Sequence, residues 1–185
     1  MVEVNSTDYA FNASPRNGAV AGVVIALGSN TGDRVAQLQS AAACIEDQKL
    51  LTQIHRSNIY ETAPERASDG GAFANAVMVG ETTLSPQALL LALLRIETLL
   101  GRQRLHGAHG GPRVIDLDLI FFADRVIDEP GLQLPHPRFS TRAFVLVPLA
   151  DIAPLVIDPR SGSSIHSLLA ALAPATLPCL GSLRR

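Results

Sequence analysis

Apolar positions along the chain change period several times, and each change marks an element. Val23-Val-Ile-Ala-Leu27 is an unbroken aliphatic run that stops at Gly28-Ser-Asn30, so it predicts a strand followed by a turn. From Asp33 the pattern switches. Val35, Leu38, Ala42 and Ile45 recur at helical spacing and predict a helix over 33–47, with Asp33 near its start. Leu51–Tyr60 reads as one strand, 61–72 as a loop rich in Pro, Gly and charge, and Phe73–Thr82 as another strand. Ser85-Pro86 supplies an N-cap and a proline for the first helical position. The helix it opens runs through Leu89, Leu90, Leu93, Ile96 and Leu100 and stops at Gly101. Beyond a Gly- and His-rich loop over 102–112, Val114–Phe122 predicts a strand, and Pro130, Gly131, Pro135 and Pro137 mark a second loop. Phe144–Ala150 predicts a helix, Val156-Ile157 a short strand and Ser164–Leu172 a last helix. The adjacent strands 51–60 and 73–82 suggest antiparallel pairing, and there is no strict alternation of strand and helix. The fold class is therefore α+β, an antiparallel sheet covered by helices.

Composition narrows the picture further. The 185 residues fit one domain, read as residues 21–185 behind a flexible polar tail over 1–20. Apolar residues make up 47% of the chain and aromatics 4%, with no Trp, so the core must be aliphatic. A net charge of −2 argues against a nucleic-acid or membrane-surface binder. Of the 15 cationic residues only Lys49 is lysine. That bias supplies planar forks suited to phosphate, although genomic composition explains it equally well. Cys44 and Cys179 lie far apart in apolar surroundings and suit buried thiols in a reducing compartment. No apolar run reaches the length of a membrane span, and the first residues lack a signal core. The expectation is a cytoplasmic monomer or weak dimer.

Candidate chemistry concentrates in Arg113-Val-Ile-Asp116-Leu-Asp118-Leu-Ile-Phe-Phe122. Positions i and i+2 of a strand project from one face, so Asp116 and Asp118 stand roughly 6.6 Å apart along the chain on the same side. Arg113 has the opposite parity and faces away in a regular strand, unless the entry is bulged. Two carboxylates on one apolar strand repel each other and resist burial, so a stable fold places positive charge between them. Arginine partners satisfy that need, and so does a divalent cation. Oxygen-only ligands beside a basic loop suit Mg²⁺ shared with substrate phosphates. Arg102, Arg104 and Arg113 bracket the glycine-rich loop, and such a loop can close over phosphates; a solvated loop is the plainer alternative. His136, presented between Pro135 and Pro137, and Arg142 could reach a triphosphate. His106 and His109 receive no role. Neither GxxxxGK[ST] nor GxGxxG is present, so ATP would not be held by a P-loop.

Taken in order, Ala26-Leu-Gly28-Ser29-Asn30, Tyr60-Glu-Thr62-Ala-Pro64, Phe73-Ala-Asn75, Glu97 before Gly101-Arg102, Gly111-Pro112-Arg113-Val-Ile-Asp116-Leu-Asp118 and Pro135-His136 with Arg142 form a set. Over roughly residues 22–172 this set resembles the 6-hydroxymethyl-7,8-dihydropterin pyrophosphokinases of folate synthesis. The resemblance implies a ferredoxin-like α+β core with mobile active-site loops. It implies transfer of diphosphate from ATP to the dihydropterin, giving AMP and the pterin diphosphate. It implies two Mg²⁺ ions on Asp116 and Asp118, with Arg102 and Arg113 as catalytic-loop arginines. ATP would be met by Glu97, Arg104, His136 and Arg142. Phe73 and Phe144 would sandwich the pterin ring, Asn75 would bond its edge, and the backbone around Thr62 and Ala63 would complete the pocket. This chain departs from the family pattern at Gly110, where an aromatic residue is common, at Pro137, and at Ala63. Two other readings compete: a DxD phosphohydrolase, for which no water-activating base is evident, and a non-catalytic binding module with a weakened lid.

Overall fold

The computed structural model describes residues 20–64, 70–102, 111–173 and 176–184. Residues 1–19 of the expected polar tail, the histidines at 106 and 109, Arg104 and Gly110 lie outside these residues, as does most of the expected loop at 102–112.

The chain runs β1 (Ala21–Ser29), α1 (Arg34–Asp47), β2 (Thr52–Arg56), β3 (Asn58–Thr62), β4 (Phe73–Thr82), α2 (Pro86–Leu99), β5 (Asp116–Phe122), β6 (Ile127–Glu129), β7 (Leu132–Leu134), α3 (Ala143–Ile152), α4 (Ile165–Ala171) and β8 (Cys179–Ser182). The main sheet has the order β5-β1-β4-β3-β8, with β2 also on β4, and its recorded pairings are antiparallel. The order of β5, β1, β4 and the β2/β3 strip, with α1 and α2 as crossovers, is the ferredoxin-like arrangement expected.

Sheet periodicity explains the three layers. On β1, Val23, Ile25 and Leu27 point into one core with Leu38, Ala41, Ala42 and Ile45 of α1 and Leu89, Leu93 and Ile96 of α2. Val24 points into the other core, with Val145, Leu146 and Leu149 of α3 and Ile165 of α4. A strand covered on both faces reads as a continuous apolar run, as residues 23–27 do. A register shift opposite Val24/Ile25 leaves Ile120 as an extra residue in β5. Ile120 and Phe121 consequently both face the α3/α4 side, where Phe121 meets Phe139 edge to face at 4.7 Å.

Three helices are capped by a side chain, the Ser85 cap as predicted. Asp33 Oδ1 accepts from the Ala36 N–H at 3.1 Å, Ser85 Oγ from Ala88 at 3.2 Å and Ser164 Oγ from Ser167 at 3.1 Å. Four expectations need correction. The run 51–60 is broken at Ser57, whose N–H donates to Val77 O and whose Oγ accepts from Val77 N–H. That side chain fills the step between β2 and β3, and β3 runs on to Thr62. The strand expected from Val114 begins at Asp116. Val156-Ile157 makes only a single bridge, Ile157 to Ser164. Cys179 is exposed on β8 and Cys44 half-buried, so neither is the buried thiol expected. The β6–β7 hairpin and β8 were not anticipated.

Candidate active site

At one end of the sheet β1 and β3 finish while β4 and β5 begin. Register puts Asn75 of β4, Gly28 of β1 and Asp116 of β5 in one row, with Asp118 opposite Ala26 in the next. Leu117 and Leu119 point into the α1/α2 core, so Asp116 and Asp118, which alternate with them, face the α3 side. The shared face predicted from their spacing is therefore present.

Gly28 makes the floor. A Cβ there would lie 3.3 Å from Asn75 Oδ1 and 3.9 Å from Asp116 Cβ, so its absence leaves a gap between the amide and the carboxylate. In the sequence Gly28 signals a turn, but a glycine within a strand also marks close approach of a backbone or ligand. Asn75 is 5% exposed and its Nδ2 donates to Thr62 Oγ1 at 2.8 Å, which fixes the amide across the gap. Phe73 starts the same strand, half-buried, and Ala63 is exposed just beyond Thr62. From the covering layer, Phe144 in the first turn of α3 is half-buried, with the Arg142 guanidinium 5.1 Å from its ring centre.

The charges form a network. Arg102 Nη1 donates to both Glu97 Oε1 and Asp116 Oδ1, and Arg113 Nη1 donates to Asp116 Oδ2. Arg113 precedes β5, so the strand parity that would have turned it away does not apply. It is clamped by Asn30: Asn30 N–H donates to Arg113 O at 3.0 Å, and Arg113 N–H donates to Asn30 Oδ1 at 2.6 Å. No sequence spacing could have revealed that pair, 83 positions apart. Glu97 is 1% exposed, with Oε1 also accepting the Leu117 N–H at 2.8 Å.

The two aspartates sit in different fields. Burial pushes the Asp116 carboxyl up, but Arg102 and Arg113 outweigh it and hold the group below its ordinary value. Burial, then the like charge of Asp116, push Asp118 up to about 6. Two carboxylate oxygen donors that still repel each other fit a hard dication, which would relieve that repulsion. Among the described residues no group of three His, Cys, Asp or Glu could enclose a metal alone. A cation here would complete its shell from phosphate and water, which suits Mg²⁺.

Asp118 also lines a cavity of about 570 Å³ with Leu90, Glu129, Leu132, Gln133 and His136. Burial and then Arg142 and Arg138 push His136 down to about 4, so its imidazole is neutral at pH 7. Its Nδ1 accepts from the Arg138 N–H at 3.3 Å, which leaves Nε2 as a donor. The described candidates thus converge on one end of the sheet. Arg104 is not among the described residues.

Comparison with known proteins gives this site its context. Residues 24–154 match the family described as 7,8-dihydro-6-hydroxymethylpterin-pyrophosphokinase (HPPK). The chain is 39% identical over 150 residues to the 2-amino-4-hydroxy-6-hydroxymethyldihydropteridine pyrophosphokinase of Synechocystis sp., covering 80% of this chain and 74% of that one. It is 40% identical over 152 residues to the protein of the same name from Methylorubrum extorquens, covering 82% and 93%. With the mitochondrial folate synthesis bifunctional protein of Pisum sativum it shares 40% over 145 residues, 78% of this chain but only 28% of that one. Wild-type Plasmodium falciparum HPPK-DHPS solved with pteroate superposes with a TM-score of 0.65 at 18% identity, covering 85% of this chain and 43% of that one, a likeness of fold. The chain therefore belongs to the 7,8-dihydro-6-hydroxymethylpterin pyrophosphokinase family, enzymes that transfer the pyrophosphoryl group of ATP to the hydroxymethyl-dihydropterin in folate synthesis.

Proposed function

We propose that Asp116 and Asp118 hold the Mg²⁺ with which a pyrophosphokinase works, as two ions shared with the ATP triphosphate. The observation that carries this reading is the placement of both carboxylates on one face of β5, with Asp118 at a cavity wall. When bound, the ions would offset the charge of the triphosphate and make its β-phosphorus more electrophilic. The hydroxymethyl oxygen attacks that phosphorus, the bond to the α-phosphate oxygen breaks, AMP leaves and the hydroxyl proton is released.

The chain's own part is alignment and charge. Arg102 and Arg113, both anchored beside Asp116, lie where negative charge develops on the transferring group. Arg104, outside the described residues, is read as an ATP contact on the family resemblance alone. Arg142 meets the phosphates as a cation and His136 as a neutral donor through Nε2. Glu97, which the resemblance would set against ATP, is engaged by Arg102 and the Leu117 N–H and acts behind the site. The acceptor ring lies over the Gly28 gap between Phe73 and Phe144, bonded at its edge by Asn75 and by backbone around Thr62 and Ala63. Both cores pack on one sheet, which supports reading residues 21–185 as a single domain.

Asp116→Asn and Asp118→Asn test the metal role. Each should keep the fold by circular dichroism and lower kcat by at least about 100-fold, the scale on which lost electrostatic stabilisation acts. Calorimetric binding of Mg²⁺–ATP should weaken in parallel. Turnover within a few-fold of the unaltered chain in either variant would refute the assignment.

A further inference from the structure

Glu97 is the most deeply buried carboxylate of the described site, at 1% exposed. It sits in the last turn of α2, and a charge placed there costs free energy unless the position uses it. We infer that Glu97 is a positioning residue, fixing the Asp116–Asp118 segment and aiming Arg102, rather than a group that touches the nucleotide. The inference rests on reading Asp116 and Asp118 as the metal pair.

Two contacts of one oxygen carry it. β5 is the outermost strand at its end of the sheet, so alternate N–H groups along it face away from β1 and have no strand to meet. The Leu117 N–H, between the two aspartates, is such a group, and Glu97 Oε1 accepts it at 2.8 Å. Asp116 and Asp118 are paired to β1 on one edge while the residue between them is tied to α2 on the other. The separation and tilt of the two carboxylates are thereby held from both sides.

The same Oε1 accepts from Arg102 Nη1, which also reaches Asp116 Oδ1. The chain is bent back to allow this. Gly101 takes a φ of +93°, its N–H donates to Thr98 O at 3.1 Å, and the Arg102 N–H donates to Glu97 O at 2.9 Å. Arg102 is thus returned over the residue that starts this final turn. A neutral acceptor would satisfy the Leu117 N–H equally well, so the negative charge at 97 serves Arg102. A side chain 1% exposed and engaged in this way offers no surface to ATP.

The experiment compares E97Q, E97A, R102A, E97Q/R102A and D116N. E97Q is isosteric and should melt within a few degrees of the unaltered chain. Its Leu117 amide should stay protected in hydrogen exchange, while E97A loses that protection. E97Q should lower kcat about tenfold or more with KM for ATP and calorimetric Mg²⁺–ATP binding within about twofold, a loss of alignment without loss of binding. E97Q/R102A should be no slower than R102A, because the charge acts through Arg102. Full turnover in E97Q overturns the inference. So does a raised KM with unchanged kcat, the mark of a direct nucleotide contact, and so does a double variant slower than R102A by the full E97Q factor. An active D116N would remove the metal reading and this inference together, whereas an inactive D116N beside a fully active E97Q removes only this one.

Discussion

Asp116 and Asp118 are two positions apart and face the same way, yet their protons behave oppositely. Asp116 is held low by two guanidinium groups, while Asp118, pushed by burial and by Asp116, rises to about 6. A carboxyl that binds its proton more tightly in the folded chain than in the unfolded one favours folding at low pH. That contribution is complete below the ordinary value of 3.8 and is lost as pH rises through about 6. Ionised Asp118 thus weighs against the fold at neutral pH, a cost that the proposed metal role would explain. Asp118→Asn should melt higher than the unaltered chain at pH 8 in the presence of a chelator. Each kcal/mol relieved is worth about 2–4 °C for a chain of this size. The difference should close below pH 4, where the native carboxyl is protonated in both states. A difference independent of pH would contradict the account. Asp116→Asn should show the opposite sign at neutral pH, since its ionised form is the paired one.

At the scale of elements, the end of α2 decides where an arginine points. A left-handed φ at Gly101 is what lets the chain turn back and return Arg102 to Glu97. A Cβ at Gly101 would touch nothing within 4 Å, so Gly101→Ala acts through backbone conformation alone and should cost about 1 kcal/mol. Gly162, with a φ of +71° and equally open space, is the matched control, in a turn that carries none of the candidate site residues. Gly101→Ala should lower both denaturant midpoint and kcat, whereas Gly162→Ala should lower only the midpoint. Equal kcat in the two variants would separate this turn from catalysis. The elements most legible in sequence are those whose signals are local. Asp33, Ser85 and Ser164 cap helices because an oxygen three residues ahead of a free N–H is written in the sequence itself. The β6–β7 hairpin carried a local signal that passed as loop, Pro130-Gly131 between Ile127 and Leu132, with Gly131 at a φ of +84°. β8 had none. Its four residues are all exposed, and it forms because β3 offers it an edge.

Across the whole molecule, the main sheet carries both cores, and the candidate site lies at the end where Gly28 leaves a gap between Asn75 and Asp116. The aspartates were legible because strand parity is a local rule. The Asn30 clamp on Arg113, the Asn75–Thr62 bond and the Glu97–Leu117 bond were not, because each joins segments that meet only after the sheet forms. Those contacts turn a set of phosphate-binding residue types into an aligned site. The family's activity delivers a diphosphoryl group from ATP to a pterin alcohol. The direct measurement is the product balance of the purified chain with ATP, Mg²⁺ and 6-hydroxymethyl-7,8-dihydropterin, resolved by phosphorus NMR. AMP and pterin diphosphate should accumulate one for one, and only when the dihydropterin is present. ADP, inorganic phosphate released without acceptor, or no AMP at all would contradict the account.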